Sequence, residues 1–422
     1  MSNNLSFSKL GLSSPIIKIL KQNNYTKATV IQEKVIPLLL QKNDIMAKAQ
    51  TGTGKSASFV LPILELLSES RTKGKAKIKV LVLTPTRELT LQVAEYFKTF
   101  GTFLEKKLKV VSVIGGESIG DQLYDIQQGC DILVATSGRF LDILSKKQMN
   151  LSFVEYFVLD EADKMLDLGF AEELELILEA IPSKRQNLLF SATYPEKMLN
   201  IALKITKKPV KVSINNEEPI VHTITQRVIE VNRNNRGPLL RHLLDSQKYE
   251  QVLVFMSSKR ATDNIAVKFR KYGYKADSFH GDLHQEDRSF TLDEFKAKKL
   301  QILFSTDIAS RGLDIKDISC VVNFDLPRSP ADYIHRIGRT GRAGQSGMAV
   351  SFIDYEDMDH FELIEKRCNI KLEREQIKGF ELTGEAPKKT KGPAPVKGKG
   401  KSKKDKLREK ALQENKHKDM NQ

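Results

Sequence analysis

An α/β fold repeated in two tandem units, each around a parallel sheet, is what the sequence predicts, and three observations predict it. Short apolar runs alternate with longer segments of helical period. A polar stretch near residue 213 interrupts that alternation, which then resumes. At 422 residues the chain is also too long for one compact domain of ordinary size.

In the first unit, from about Lys42 to Val212, the runs 80–83, 110–114, 132–135, 157–159 and 188–190 read as strands buried on both faces. Strands of that kind, separated by helical segments, imply a sheet covered by helices. Ser213 to Pro219, with Asn215-Asn216-Glu217-Glu218, reads as a linker. The clearest strands of the second unit are 252–255, 301–304, 320–324 and 348–352. The domain plan is therefore 1–212, a linker at 213–220, a second unit at 221–372 and an extension at 373–422.

Charge bounds the partners. The formal net charge is +15, and Gly384 to Gln422 holds 13 Lys/Arg against five Asp/Glu, a net of +8. With almost no apolar residues this tail cannot bury enough surface to fold alone, so a disordered, mobile basic arm is predicted, with a polyanion as its partner. No run of about 18 apolar residues marks a membrane span, and the first residues lack the pattern of an export signal. Cys130, Cys320 and Cys368 are odd in number and far apart, which gives neither a disulfide framework nor a zinc spacing and fits a reducing cytoplasm.

Ala49-Gln50-Thr51-Gly52-Thr53-Gly54-Lys55-Ser56 lies between a strand-like run and a helix-compatible segment. Glycines there let successive backbone N–H groups converge on one point at a helix N-terminus, where anionic charge is favoured. Lys55 can reach the outer phosphates of a nucleotide, and Ser56 offers a hydroxyl to Mg2+. Phe157-Val158-Leu159-Asp160-Glu161 brings two carboxylates to the carboxyl edge of the sheet, where ligands bind in doubly wound folds. Asp160 would hold Mg2+ through water, and Glu161 would orient and deprotonate an attacking water. The bland alternative makes these acids the first turn of a helix. Upstream, Thr29-Val30-Ile31-Gln32 also has the spacing of a capping box.

With Asp160-Glu161-Ala162-Asp163 the chain resembles the DEAD-box RNA helicases, from Phe7 to about Gly379. The resemblance rests on a series in order: the phosphate loop, Pro85-Thr86-Arg87-Glu88-Leu89, Gly115-Gly116, Thr136-Ser137-Gly138-Arg139, the acidic tetrapeptide and Ser191-Ala192-Thr193. The second unit adds Gln285-Glu286-Asp287-Arg288, Ser305-Thr306-Asp307 through Asp314, and His335-Arg336-Ile337-Gly338-Arg339-Thr340-Gly341-Arg342. The short spacers and basic tail resemble the bacterial RhlE-like subgroup.

The resemblance implies tandem RecA-like domains and an RNA-stimulated ATPase with ATP and Mg2+ as cofactors. It assigns Phe7, Tyr25, Thr29 and Gln32 to adenine reading, for which a glutamine amide can donate and accept at once. Arg339 and Arg342 would act on the γ-phosphate from across the cleft, a placement that contributes about 10³ to 10⁵ in rate. Asp314 would lie near the ribose, while Asp163, Ser191, Thr193 and His335 would couple the parts. RNA contacts would be made by Pro85, Thr86, Arg87, Gly115, Gly116, Thr136, Gly138 and Arg139, and by Gln285, Arg288 and Thr306. Those residue types suit sugar and phosphate, so little base preference is expected. The rival readings are an ATP-gated RNA clamp or annealing chaperone, and a DNA helicase.

Overall fold

The computed structural model describes residues 5–49, 53–68, 75–104, 107–214, 224–307, 318–341 and 347–385. Seven strands make the first sheet: β1 (Ile45–Lys48), β2 (Val80–Thr84), β3 (Val110–Val113), β4 (Ile132–Thr136), β5 (Tyr156–Leu159), β6 (Gln186–Ser191) and β7 (Val210–Ser213). Their order is β3-β4-β2-β5-β6-β1-β7, with every pair parallel. The second sheet holds β8 (Ile224–Glu230), β9 (Val252–Met256), β10 (Ala276–Phe279), β11 (Ile302–Thr306), β12 (Cys320–Asn323), β13 (Gly347–Ile353) and β14 (Arg374–Glu375). Its order, β10-β11-β9-β12-β13-β8-β14, repeats the first one position for position, again all parallel.

Continuous apolar runs form these strands because both faces are covered. In the first sheet Val80, Val82, Val134 and Val158 enter one core with Phe59 and Phe97. Leu81, Leu83, Leu133 and Leu159 enter another with Phe140 and Ile177. Side chains alternate between faces, so each strand supplies both cores. The second sheet divides in the same way, with Val252 and Val254 on one side and Leu253 and Phe255 on the other.

Strands without such runs lie at or beside sheet edges. At β10, Ser278 Oγ donates to Asp263 at 2.6 Å. At β14, Glu375 takes a fork of hydrogen bonds from Arg227, at 2.6 to 3.1 Å. At β14, half-buried at both positions, polar pairing stands in place of burial, whereas β10 keeps Ala276 and Phe279 in the core beside its polar pair. Past residue 372 the chain continues on this sheet: Leu382 is buried, and Thr383 N donates to Asn232 Oδ1 at 2.9 Å. Ser213 of the predicted linker closes β7. Residues 215–220 of that linker and the tail beyond 385 lie outside the described residues.

Candidate nucleotide and nucleic-acid site

The carboxyl edge of the first sheet is built by strand ends and helix starts. Lys55 and Ser56 open the helix Lys55–Ser68 after β1, and Asp160 and Glu161 follow β5 directly. Lys55 Nζ and Glu161 Oε2 are both buried without a hydrogen-bond partner among the described residues. Burying such groups unpaired is costly, and the pair marks a place where a phosphate and a water would restore the lost bonds. Glu161 also holds a left-handed backbone, φ 52° and ψ 48°, strained for a residue with a Cβ and typical of functional sites.

Asp160 is fully enclosed, and its carboxyl is pushed up to about 6, by burial first, with Lys55 opposing and Glu161 adding to the rise. A buried carboxylate so disfavoured gains from a cation. The hard oxygens of Ser56 and Asp160 suit Mg2+, so the donor set fits that ion.

Gln32 does two things at once. Its Oε1 accepts from Thr29 N at 2.9 Å, which is half of the capping box, and its Nε2 donates to Gly54 O at 3.1 Å. Gly54 has φ +89°, and a Cβ there would come within 2.5 Å of Gln32 Nε2. The glycine of the phosphate loop is thus required by contact with the upstream element as well as by its turn. Phe7 is buried in the first core, and Tyr25 stands edge-on to Phe100 with ring centroids 5.4 Å apart. Ala49 is buried, its N donating to Ser191 O at 3.0 Å, and Thr53 and Gly54 are half-buried. Gln50, Thr51, Gly52, Asp314 and Arg342 lie outside the described residues.

Asp163, Ser191 and Thr193 come together. Asp163 Oδ2 accepts from Thr193 N and Thr193 Oγ1, both at 2.9 Å, and Asp163 N donates to Ser191 Oγ at 3.2 Å. His335 joins through a residue the motif reading missed: its Nδ1 meets Lys164 Nζ at 3.0 Å across the two domains. Lys164 follows the acidic tetrapeptide and is buried, and His335 shares the helix Pro330–Ile337 with Arg336. Arg336 fixes that helix by a fork to Asp307, at 2.6 and 2.7 Å, and a bond to Asn323 at 3.0 Å. Arg339, two residues beyond the helix, is buried. No sequence signal short of the partner itself marks Lys164, since its contact lies 171 residues away.

The nucleic-acid candidates form a second edge. Arg87 lies flat against Gly115 and Gly116, where a Cβ on Gly116, at φ +88°, would come within 2.7 Å of its guanidinium. Burial first and then the Arg288 charge lower the Arg87 pKa, a strain that a polyanion would relieve. Its Nη1 reaches Gln285 Oε1 at 3.4 Å across the cleft. Thr86 caps its helix by accepting from Leu89 N at 3.3 Å, and Pro85 beside it is buried. Arg139 donates to Glu117 O at 2.8 Å, tying the half-buried Thr136 and Gly138 turn to the glycine loop. Thr306 ends β11 and is buried. Arg288 is placed differently from its neighbours: it is buried, its Nε donates to Glu88 Oε1 at 2.8 Å, and its Nη1 donates to His280 O at 2.9 Å. The structure therefore shows Arg288 tying one domain to the other.

A glycine-loop lysine over paired carboxylates, with a second sheet of like topology bringing an arginine-bearing segment to the same cleft, defines a tandem-domain ATPase of the RecA-like kind. The comparisons narrow the class. The DEAD/DEAH box helicase family matches residues 29–201, and the helicase conserved C-terminal domain matches residues 236–344. The DEAD-box ATP-dependent RNA helicase CshA of Geobacillus kaustophilus is 40% identical over 369 residues, spanning 87% of this chain and 78% of that protein. A probable ATP-dependent RNA helicase of Methanocaldococcus jannaschii is 40% identical over 373 residues, 88% of this chain and 98% of its own length. The chain belongs to the DEAD-box ATP-dependent RNA helicase family.

Among solved structures, Mss116p bound to ssRNA and AMP-PNP has a TM-score of 0.80 at 29% identity, covering 89% of this chain and 80% of that one. S. cerevisiae Dbp5 bound to RNA and ADP BeF3 has a TM-score of 0.77 at 30% identity, covering 88% and 95%. A DEAD box protein from Methanococcus jannaschii has a TM-score of 0.51 at 40% identity, covering 88% and 99%.

Proposed function

We propose that this protein is an RNA-stimulated ATPase that couples hydrolysis between its two domains to local RNA duplex opening or ribonucleoprotein remodelling. The observation that carries the reading is the Lys164–His335 contact, which brings the arginine-bearing segment of one domain against the acidic motif of the other. Lys55 neutralises phosphate charge, and Glu161 takes the proton of the attacking water. Arg339 and Arg342 meet the charge that develops on the γ-phosphoryl group. Ser56 and Asp160 would hold Mg2+, which supplies charge neutralisation on the β- and γ-oxygens when bound. Gln32 reads adenine by exchanging its bond to Gly54 for the base while keeping its cap on Thr29.

RNA is held along Pro85–Arg87, Gly115–Gly116, Thr136–Arg139, Gln285 and Thr306, mainly by sugar and phosphate. Contacts to the 2′-hydroxyl would select RNA over DNA. The basic tail adds unspecific affinity; deleting residues 388–422 should make the salt dependence of RNA binding shallower at unchanged kcat, about −0.7 in log–log slope being lost per phosphate contact. The Geobacillus kaustophilus relative, 40% identical, carries the name CshA, so we place the chain nearer that group than the RhlE-like subgroup expected from spacers and tail. Among the described residues no helix is long and apolar enough to cross a membrane. Cys130 and Cys320 are buried thiols pushed up to about 12 by that burial, which leaves them unreactive.

The test compares ATP turnover with single-stranded RNA, matched DNA and neither, alongside strand separation of a short fluorescent duplex. RNA should stimulate turnover and DNA should not. Equal stimulation by both overturns the RNA assignment, and turnover without strand separation favours a clamp.

A further inference from the structure

β3 ends the first sheet on its side, and among the described residues no strand pairs with its outer edge. Ile132 N donates to Lys109 O at 3.2 Å in the register that sets Val110 beside Ile132, so Lys109, Val111 and Val113 turn their backbone groups to β4. The N–H and C=O groups of Val110 and Ser112 therefore face the other way. There residues 108–112 line a groove of about 1140 Å3, larger than the roughly 300 to 1,000 Å3 of small-molecule pockets. His284, Glu286 and Ser289 line it from the second domain, at the start of the helix Gln285–Lys296. An edge of this kind is a template for a further strand unless it is covered, kinked or charged, and β3 itself, Val110–Val113, carries no charge.

We propose that this edge takes an extended segment of a partner protein as an added strand, with lysine or arginine at every second position. Side chains of an added strand alternate between the two faces of the sheet. The faces differ here: Val111 packs into the core that holds Leu123 and Ile126 of the helix Ile119–Gln127, and Val110 into the one that holds Phe97 of the helix Arg87–Phe100. On the first face Glu117, Asp121 and Asp125 line the groove, against Lys109, whose Nζ already donates to Gln128 O at 2.7 Å. Asp121 and Asp125 stand one helical turn apart, both exposed. On the second face the groove meets Lys98. Basic side chains thus gain on one face and not on the other, which sets the spacing of two. With Glu286 the groove has four carboxylates against two lysines, so a basic peptide suits it better than a polyanion.

Fluorescence anisotropy of a labelled heptapeptide alternating threonine and lysine tests the site on the full chain, at about 50 mM salt where exposed charge is little screened. It should bind about fivefold more tightly than the same residues with the lysines contiguous. N-methylating the lysine amides in one peptide and the threonine amides in another separates the peptide's two edges. One set should abolish binding and the other spare it, because only alternate residues pair with β3. Asp121→Asn together with Asp125→Asn should weaken the alternating peptide about fivefold. Ser112→Pro removes an outward N–H and leaves the ladder to β4, a change that an edge strand tolerates, and should weaken it severalfold. The aspartate variant keeps the test decisive if Ser112→Pro does not fold. Equal binding of the two lysine orders, or equal tolerance of both methylated sets, overturns the proposal. Unchanged peptide affinity in the aspartate variant does so too, and tighter binding of single-stranded RNA by that variant would then make the groove a stretch of the RNA path.

Discussion

The two sheets share one strand order but treat the same corner in opposite ways. In the first domain the helix after the opening strand begins with Lys55, whose Nζ is buried near Asp160 without a hydrogen-bond partner among the described residues. In the second domain the corresponding helix, Arg236–Gln247, begins with Arg236, only 1% exposed. Its guanidinium is bound by Asp325 after β12 and by Asp354 and Asp357 after β13, and it also donates to Phe324 O at 2.8 Å. One corner keeps a cation waiting for a ligand; the other fills the place with carboxylates of its own chain. Identical topology therefore does not make identical sites, and what separates a nucleotide pocket from a structural plug is whether the buried charge is answered from within.

Five substitutions test that contrast, the largest effect first. Glu161→Gln should lower ATP turnover by about 10² to 10⁴ while ATP and RNA still bind, since only the proton acceptor is lost; Lys55→Ala should lose ATP binding itself. Measured affinities reversing that order would mean the roles are exchanged. Arg236→Met, which leaves three carboxylates facing one another, should cost the second domain about 3 to 5 kcal/mol in denaturant unfolding. ATP affinity at the intact first corner should change little. An Arg236 variant of normal stability would mean that the corner is not held by its charge.

Lys164→Met sharpens the comparison at the joint. RNA-stimulated kcat should fall about tenfold, with little change in KM for ATP, because the lysine meets the second domain and is not part of the phosphate loop. A pure KM effect would place Lys164 at the nucleotide instead. The smallest effect belongs to the second domain's rim, where Arg374 forks onto Glu365 at 2.7 and 2.9 Å. Burial alone would raise the Glu365 carboxyl, but Arg374 and the Leu372 N–H outweigh it and hold the pKa below its ordinary value. The pair therefore stabilises above the unfolded carboxylate range, and the gain is lost as pH falls through the lowered folded value. Arg374→Met should cost about 1 to 3 kcal/mol near pH 7 and progressively less on acidification; a penalty independent of pH would assign the loss to packing on Phe361.

Much of this was legible because continuous apolar runs and glycine loops are local signals. The alternation of Val80 to Leu83 between two cores follows from period two alone, and Lys55, Asp160 and Glu161 announce themselves by spacing. What stayed hidden was long-range or double. Arg288 carries the same motif whether it holds RNA or Glu88, and only the fold brings the two partners, 200 residues apart, together. Gln32 shows the capping box the sequence offered and also reaches the loop through Gly54, since a side chain with an acceptor and a donor can do both at once; its adenine role remains a proposal. Strands such as β14, with two charged residues, carry no apolar signature because an edge can be held by an ion pair.

The polar seam has a consequence for how the molecule makes decisions. Arg87–Gln285, Glu88–Arg288 and Lys164–His335 each join one domain to the other at or directly beside a motif. Contacts of this kind contribute about 1 to 3 kcal/mol apiece before the ordering of long side chains is subtracted, so they leave the joint near balance. Under the proposed function a joint of this kind would act as a coincidence detector: one ligand would shift the balance partway, and the cleft would commit only when nucleotide and nucleic acid arrive together.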